Sequence, residues 1–361
     1  MEASLALLLP IAFALVGAFA IFALFALQRR AKRSRRLALP LIAILSALVF
    51  SLLAFTCGEF YYRFLYEGTD SFAVTTTQQE WNTRYWRVNN WGLRDNVDYA
   101  PVPPVGKVRV TFLGDSSLAG AGVADVAARY ANRIRATHND RWDVHVLGVP
   151  ASSTGNELAL LAKLFQERQY QTDLVVLDYD CNDIEDLSAD FKNWAGERLQ
   201  TIERMRNNFL VRHSRFLEIV LTRNLFSALF NVDDYNRVIE GAYGGADWSQ
   251  QEYRLDLPRR LCASHGATFV IVSGCRYIER YGRSANVPLL NPWDFSKDYD
   301  EATLIVSPSD RHPSAFAHGL LAETIGRFIE PYAVQGPRTP VEAELSTVLE
   351  YLKAHSAEQG S

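Results

Sequence analysis

The sequence has few of the residues that bind a metal ion or nucleic acid. It contains only four cysteines, at positions 57, 181, 262 and 275, which have no metal-ligand spacing and are too few for a disulfide scaffold. The sequence leaves open whether Cys262 and Cys275 pair. A net charge of −4 provides no basic field for nucleic acid. We therefore expect no metal, no cofactor and no nucleic-acid partner.

The N-terminus also lacks the basic start of a signal peptide, since only Glu2 precedes the first apolar run. Residues 5–27 and 37–57 are two runs long enough to cross a bilayer as helices. Residues 28–36 between them, QRRAKRSRR, contain six Lys or Arg. The alternatives are a signal peptide for the first run and a buried core helix for the second. We predict a transmembrane hairpin over residues 1–58.

The charge distribution predicts the orientation of this hairpin. A short basic loop stays cytoplasmic, so residues beyond about 58 lie on the other side of the membrane. Residues 59–106 are predicted to form an aromatic neck. It begins with aromatic side chains of the kind found at the membrane–water interface, and the rest lies on the globular domain. Its tryptophans, Trp81, Trp86 and Trp91, are expected to pack there, with carbohydrate stacking as the alternative.

Strands and helices alternate from Lys107 onward, which indicates a parallel sheet covered on both faces. The predicted strands are 107–113, 143–149, 173–179 and 267–273, and the predicted helices are 121–137, 155–168, 251–265 and 314–329. Residues 184–250 interrupt this alternation as a helical insertion with a turn at Gly241, Gly244 and Gly245. We interpret the insertion as a lid or as a surface resting on the membrane. Residues 336–361 are predicted to form a C-terminal helix (341–354) and tail.

Polar residues follow several of the predicted strands. Ser116 follows the first strand in LGDSSLAG, and Asn182 follows the third. Residues 147–157, LGVPASSTGNE, form a turn of small residues after the second strand, and Asp310 and His312 are placed at the start of the last helix. Because the carboxyl ends of parallel strands meet at one edge of a sheet, we expect these residues to converge.

Each residue type fits a role in acyl transfer. Ser116 is a candidate nucleophile, His312 a base near neutral pH, and Asp310 the group that orients the imidazole. The backbone amides of Ser116 and of the 147–155 turn, with the side chain of Asn182, are candidate oxyanion donors. Taken singly, the same residues are a glycine turn with a serine cap and ordinary turn formers.

These blocks resemble those of the SGNH, or GDSL-type, hydrolases. GDSS at 114–117 is similar to the family's first block, Asn182-Asp183 to its third, and DRHPSAFAHG to its last. NNWGLRD at 89–95 resembles a segment that precedes the first block in many bacterial membrane-linked members. The resemblance covers residues 107 to 329 and implies a flavodoxin-like three-layer α/β/α fold, here over residues 107–335, with Ser116, Asp310 and His312 as the triad.

Two positions differ from the family pattern. Ala151 stands where a glycine usually supplies an oxyanion amide, and alanine does not readily adopt a positive φ. Asp310 and His312 are separated by one residue, whereas Asp-x-x-His is the commonest spacing; the shorter one occurs in some acyl-group enzymes of the superfamily. If the resemblance holds, Ala151 supplies its amide together with Ser116 and Asn182.

Three functions are compatible with this pattern. The first is a membrane-anchored serine esterase in the bacterial inner membrane, with its domain periplasmic or extracellular, acting on O-acylated envelope glycans or lipids. The second is an O-acyltransferase that passes the acyl group to a sugar hydroxyl. The third is a non-catalytic binding domain, which the alanine at position 151 favours.

Overall fold

A computed structural model describes residues 15–26, 29, 35–71, 75–334 and 342–354. The chain divides into two compact units. The first takes the described residues of Met1–Gly68, Ala73–Trp81 and Gly196–Asn231, and the second those of Thr69–Phe72, Asn82–Ala195 and Val232–Ser361. The described helices are α1 (Leu15–Ala26), α2 (Arg35–Phe60), α3 (Thr76–Tyr85), α4 (Ser116–Ala119), α5 (Tyr130–Thr137), α6 (Thr154–Arg168), α7 (Ala189–Arg206), α8 (Phe209–His213), α9 (Arg215–Leu229), α10 (Val232–Gly244), α11 (Ala246–Ser264), α12 (Glu279–Ser284), α13 (Glu301–Leu304), α14 (Ala315–Ile329) and α15 (Glu342–Ala354). The strands are β1 (Val108–Gly114), β2 (Trp142–Gly148), β3 (Leu174–Asp178), β4 (Thr268–Val272), β5 (Leu289–Leu290), β6 (Ile305–Ser307) and β7 (Asp310–Pro313).

The first unit contains the apolar N-terminal helices. Within the described residues, one helical stretch, Ile42–Leu65, is long and apolar enough to cross a membrane, with a mean hydropathy of 2.0. It includes most of α2 and a π-helical turn, Tyr61–Leu65. Helix α1 is apolar but shorter, and most of the predicted first span and basic loop lies outside the described residues. The two-helix hairpin therefore stays a prediction.

Helix α9 packs against the end of α2 within the same unit. The buried carboxylate of Glu59 accepts hydrogen bonds from Ser214 Oγ at 2.8 Å and from the amide of Phe216 at 3.0 Å, at the start of α9. The ring of Phe216 meets that of Phe55 edge-on, with centroids 5.7 Å apart. This part of the predicted insertion 184–250 is thus attached to the apolar helix.

The second unit is built on a five-stranded sheet in the order β2-β1-β3-β4-β5, in which every pairing is parallel. This is the strand order of flavodoxin-like doubly wound folds, as predicted. The four predicted strands are confirmed, each to within one residue at either end. Strand β5 has only two residues and was not predicted, because so short a segment has no periodicity.

Helices cover both faces of this sheet. On one face, Val110 and Phe112 of β1 share a buried core with Tyr130 of α5 and Leu321 of α14. On the other face, the neighbouring residue Leu113 packs with apolar side chains of α6, α11 and α15. Burying one such side chain stabilises the fold by about 1.5–3 kcal/mol. Packing on both faces holds the sheet in position, together with the edge at which β1 and β3 end.

Two predicted elements differ from the structure. The helix predicted over 121–137 begins only at Tyr130, because Gly122 has a φ of 76° and Asp125 caps a short 3-10 turn that ends the loop. The predicted glycine turn is also wrong in part. Gly241 and Gly244 belong to α10, and only Gly245 lies between α10 and α11.

The sequence suggested Cys262 and Cys275 as the pair to consider, but the structure joins Cys181 to Cys275. Cys262 is a free, buried thiol of α11. The reason is the register of two neighbouring strands, in which Asp178 lies opposite Val272. Cys181 and Cys275 each follow their strand by the same three residues, so the two thiols meet at the same edge of the sheet.

Part of the predicted neck forms regular secondary structure. Residues 76–85 form helix α3, although the sequence showed no sustained helical period. From Asn82 onward the segment belongs to the second unit. The predicted packing on the globular domain is confirmed for Trp91, whose ring meets those of Tyr99 and Tyr170 edge-on, whereas Trp81 is buried within the first unit.

Candidate active site

Ser116 is presented by a tight passage from β1 to α4. The strand ends at Gly114, where an added Cβ would lie 3.0 Å from Asp178 Cβ, so glycine allows β1 and β3 to end close together. Asp115 then caps α4, accepting a hydrogen bond from the amide of Ser117 at 2.9 Å. Ser116 is the first residue of α4 and is half-buried.

The side chains of Ser116, His312 and Asp310 form a continuous hydrogen-bonded path. His312 Nε2 is 2.9 Å from Ser116 Oγ, and His312 Nδ1 is 2.6 Å from Asp310 Oδ1. The sequence placed Asp310 and His312 at the start of the last helix. They lie instead on β7, which pairs with β6 in an antiparallel ladder, and α14 begins after the Ser314 cap.

Asn182 lies in a 3-10 turn, Cys181–Ile184, that follows β3. Its side-chain nitrogen donates to Asp115 Oδ2 at 3.1 Å. An amide nitrogen carries two protons, so this hydrogen bond fixes the orientation of the amide and leaves the second proton for another acceptor. The sequence did not predict that Asp115 orients Asn182.

Ala151 adopts a positive φ, which alanine does not readily adopt. Its φ is 59°, in the left-handed region where glycine is usual and alanine is strained. It is exposed, in the turn between β2 and α6. The turn is closed by a hydrogen bond from the amide of Ser152 to the carbonyl of Val149 at 3.1 Å. The oxyanion role of Ser116, Ala151 and Asn182 stays a prediction.

Carboxylates around His312 determine its charge. Burial opposes the imidazolium, but the hydrogen bond and negative charge of Asp310, with the charges of Asp115 and Asp180, outweigh burial and raise the pKa of His312. Burial also disfavours the charged form of Asp310, yet the hydrogen bond and the charge of His312 hold the pKa of this carboxyl below its usual value. The pair therefore favours the imidazolium beside a carboxylate.

Further acidic residues lie behind this path, and the sequence did not identify them as a group. Burial and the charge of Asp115 raise the pKa of Asp180 to about 7. Burial and the surrounding carboxylates also raise the pKa values of Asp178, Asp183 and Glu157. A raised pKa favours the neutral, protonated form of each of these carboxyl groups. Among the described residues, no group of three or more His, Cys, Asp or Glu is arranged to hold a metal ion.

No protein-family model and no curated protein matches the sequence. Similar solved structures include TesA, with 14% identity over 62% of this chain and 99% of TesA and a TM-score of 0.36. A two-domain esterase described as active on acetylated mannans has 15% identity, a TM-score of 0.37, and coverage of 65% of this chain and 53% of its own. A member of the lipolytic protein G-D-S-L family from Veillonella parvula has 10% identity, a TM-score of 0.33, and coverage of 60% and 95%.

The chain is similar to GDSL-type, or SGNH, hydrolases. The structural likeness is too distant to transfer a substrate or an activity from these proteins. What this chain can do chemically therefore follows from its own residues, above all the path from Ser116 through His312 to Asp310.

Proposed function

We propose that this protein is a membrane-anchored serine esterase of the SGNH type that acts outside the cytoplasm. The observation that carries the proposal is the hydrogen-bonded path from Ser116 Oγ through His312 to Asp310. A serine hydroxyl becomes an effective nucleophile when a neighbouring base accepts its proton. The path supplies that base and, behind it, the carboxylate that orients it.

In the proposed mechanism, Ser116 Oγ attacks the ester carbonyl carbon while His312 Nε2 takes the hydroxyl proton. Asp310 stabilises the imidazolium that forms. The tetrahedral intermediate collapses, the alcohol leaves with the proton from His312, and the acyl group remains on Ser116. His312 then activates water, which releases the acid and restores the serine. The amides of Ser116 and Ala151 and the side chain of Asn182 are proposed to stabilise the oxyanion.

The conformation of Ala151 removes one argument for a purely binding role of the domain. That alternative relied on alanine replacing a glycine whose positive φ aims an amide at the oxyanion. Ala151 has a φ of 59°, so alanine here does adopt the positive φ that this alternative assumed to be unavailable. The replacement therefore does not by itself favour a non-catalytic domain.

Three observations support the proposed location. The stretch Ile42–Leu65 has the length and hydropathy of a membrane span. The basic segment 28–36 favours a cytoplasmic loop before it. The disulfide between Cys181 and Cys275 is typical of oxidising compartments such as the periplasm or the cell exterior. We propose a two-pass protein of the bacterial inner membrane whose substrates are acylated glycans or lipids of the envelope.

The proposal is tested with the full chain in detergent, using p-nitrophenyl acetate as substrate and a fluorophosphonate probe. The wild type should turn over the ester and be labelled at Ser116, and Ser116→Ala should lose both. Ser117→Ala is the matched control, since Ser117 is the next hydroxyl and donates to Asp180 at 2.8 Å instead of contacting His312. A wild type with neither turnover nor label would refute the esterase proposal.

Acyl transfer is a second candidate, favoured by the Asp-x-His spacing on β7, which resembles that of some acyl-group enzymes. The same acyl-enzyme would then react with a sugar hydroxyl in place of water. The assay with an acetyl donor is repeated with and without a glycan acceptor. Acetylated acceptor as the main product would favour transfer, and free acetate at an unchanged rate would favour hydrolysis.

A further inference from the structure

A buried arginine holds the loop that follows the catalytic serine. The side chain of Arg94 is only 1% exposed. Its Nη1 donates to the carbonyl of Ala119 at 3.1 Å and also to that of Gly120. Its Nη2 donates to the carbonyl of Val123 at 2.5 Å and to that of Ala124 at 3.4 Å. One guanidinium therefore bonds four backbone carbonyls of one short loop.

This loop also touches the acid of the proposed triad. Gly122 has a φ of 76°, and an added Cβ there would lie 2.7 Å from Asp310 Oδ2. The loop continues directly from α4, whose first residue is Ser116. A displacement of residues 120–124 would therefore shift Ser116 through α4 and Asp310 through Gly122.

We infer that Arg94 is a positioning residue that sets Ser116 and Asp310 relative to each other, an inference that rests on the proposed function. The last carbonyls of a helix have no partner within the helix, and leaving them buried and unbonded is costly. Arg94 provides such a partner for the carbonyl of Ala119 at the end of α4, and for three carbonyls of the loop that follows. Arginine suits the position because its planar fork of donors reaches several acceptors at once, whereas lysine offers a single nitrogen.

One contact holds the guanidinium of Arg94, and two ion pairs hold the residue beside it. It lies over the ring of Trp86, 4.7 Å from the ring centroid. The next residue, Asp95, is buried and forms ion pairs with Arg129 at 3.2 Å and Arg135 at 2.6 Å. Arg94 and Asp95 belong to the segment NNWGLRD, so the structure assigns this segment a part in the architecture of the site.

Arg109 provides a matched comparison, because it lies at the start of β1, the strand that leads to Ser116. It is also fully buried, and it donates to the carbonyls of Ala100 at 2.8 Å and Pro101 at 2.9 Å and to Asp143. It is the second residue of β1, whereas Ser116 follows the last. Loss of its guanidinium should therefore cost stability without moving the catalytic loop.

The test compares Arg94→Lys with Arg109→Lys in the full chain. Arg94→Lys should lower kcat for p-nitrophenyl acetate about 10- to 100-fold with little change in KM, since small displacements of reacting groups cost this much. Arg109→Lys should lower the free energy of unfolding but leave kcat of the folded protein near that of the wild type. Equal effects on kcat, or an unchanged kcat in Arg94→Lys, would overturn the inference.

A second readout does not need turnover. Hydrogen exchange at the amides of residues 117–124 should accelerate in Arg94→Lys and not in Arg109→Lys; equal rates in both variants would contradict the inference. The exchange measurement distinguishes failure of this inference from failure of the esterase proposal, which fails if the wild type shows neither turnover nor labelling.

If Arg94→Lys does not fold, a second variant tests the inference. Trp86→Leu removes the stacking ring and keeps the guanidinium, so it should lower kcat by a smaller factor than the one expected for Arg94→Lys. Wild-type kcat and exchange in that variant would overturn the inference.

Discussion

The side-chain nitrogen of Asn182 lies 3.1 Å from Oδ2 of Asp115, the residue that caps the helix beginning at Ser116. One carboxylate thus fixes both the start of the nucleophile helix and the direction of the candidate oxyanion amide. The two groups come from the ends of neighbouring strands, β1 and β3. This link makes the site one connected polar structure.

Removal of the Asn182 amide should impair turnover without unfolding the protein. We expect Asn182→Ala to lower kcat by about 10²–10³, the usual cost of one oxyanion donor. Asn182→Asp should lose at least as much, because it removes the donor and places a carboxylate beside Asp115. Asn156→Ala, at an exposed position of α6, is the control and should match the wild type. Wild-type kcat in Asn182→Ala would remove this residue from the proposed oxyanion hole.

The pH dependence of turnover should follow His312. Its pKa is raised above the ordinary value of about 6.5, and a base must be neutral to accept a proton. We therefore expect kcat/KM to fall with decreasing pH, with a midpoint above about 6.5. In Asp310→Asn, which lacks the charge that raises this pKa, the midpoint should move to lower pH and kcat should drop. Identical midpoints in the two proteins would contradict the assignment.

The same pair predicts how stability changes with pH. Because the folded pKa of His312 is raised, the protonated imidazole stabilises the fold below the unfolded pKa, and this contribution is lost as pH rises through the folded pKa. The lowered pKa of Asp310 gives a contribution that is present above its unfolded pKa and lost as pH falls through the folded pKa. Urea unfolding of wild type and His312→Gln between pH 5 and 9 should show the imidazole contribution disappear at high pH. A constant difference would count against it.

The strain at Ala151 predicts an unusual substitution. Ala151→Gly should relieve a left-handed φ that costs alanine about 1–2 kcal/mol, partly offset by the greater entropy of unfolded glycine, about 0.4–1 kcal/mol. We expect a slightly higher free energy of unfolding and unchanged kcat, since the amide remains. Ala151→Pro removes the amide and, because proline holds φ at about −65°, also forces the turn to change, so it should lower kcat by at least about 10²–10³. Gln169→Gly, at another left-handed position (φ 51°), is the stability control. Full activity of Ala151→Pro would exclude this amide from the mechanism.

Loss of the disulfide should affect both stability and turnover. The bond joins residues 94 positions apart, and removing such a cross-link typically costs about 2–4 kcal/mol. Cys181 directly precedes Asn182, so Cys181→Ser with Cys275→Ser should also lower kcat. Dithiothreitol should reproduce this effect in the wild type and add nothing in the double variant. Cys57→Ser, which removes an exposed free thiol, should behave as wild type. Unchanged stability on reduction would contradict the expectation.

The sheet and the grouping of the site were predictable because both depend on local patterns. Alternating apolar residues identified β1 to β4, and a parallel sheet brings the ends of its strands to one edge, where Ser116 and Asn182 lie. The strand that carries His312 was not predicted, since β7 is short and its partner β6 is set by tertiary pairing.

Other features required the register or a tertiary contact. The small residues of 121–129 have helical propensity, but the left-handed Gly122 and its contact with Asp310 make the segment a loop. The Cys181–Cys275 bond follows from their equal offsets after β3 and β4, and combining strand ends with cysteine positions would have found it. The role of Arg94 required coordinates, because its partners are backbone carbonyls, which the sequence does not distinguish.

The link between Cys181 and Cys275 has a consequence for biogenesis. In the reducing cytosol the newly made chain would carry both of these cysteines as free thiols, one of them beside the amide at 182. If the domain is exported as proposed, the turn after β3 would gain its covalent restraint only after export. Formation of the disulfide would then restrict full esterase activity to the compartment where the envelope is built. Protein produced in a reducing host would need an oxidation step before it is assayed.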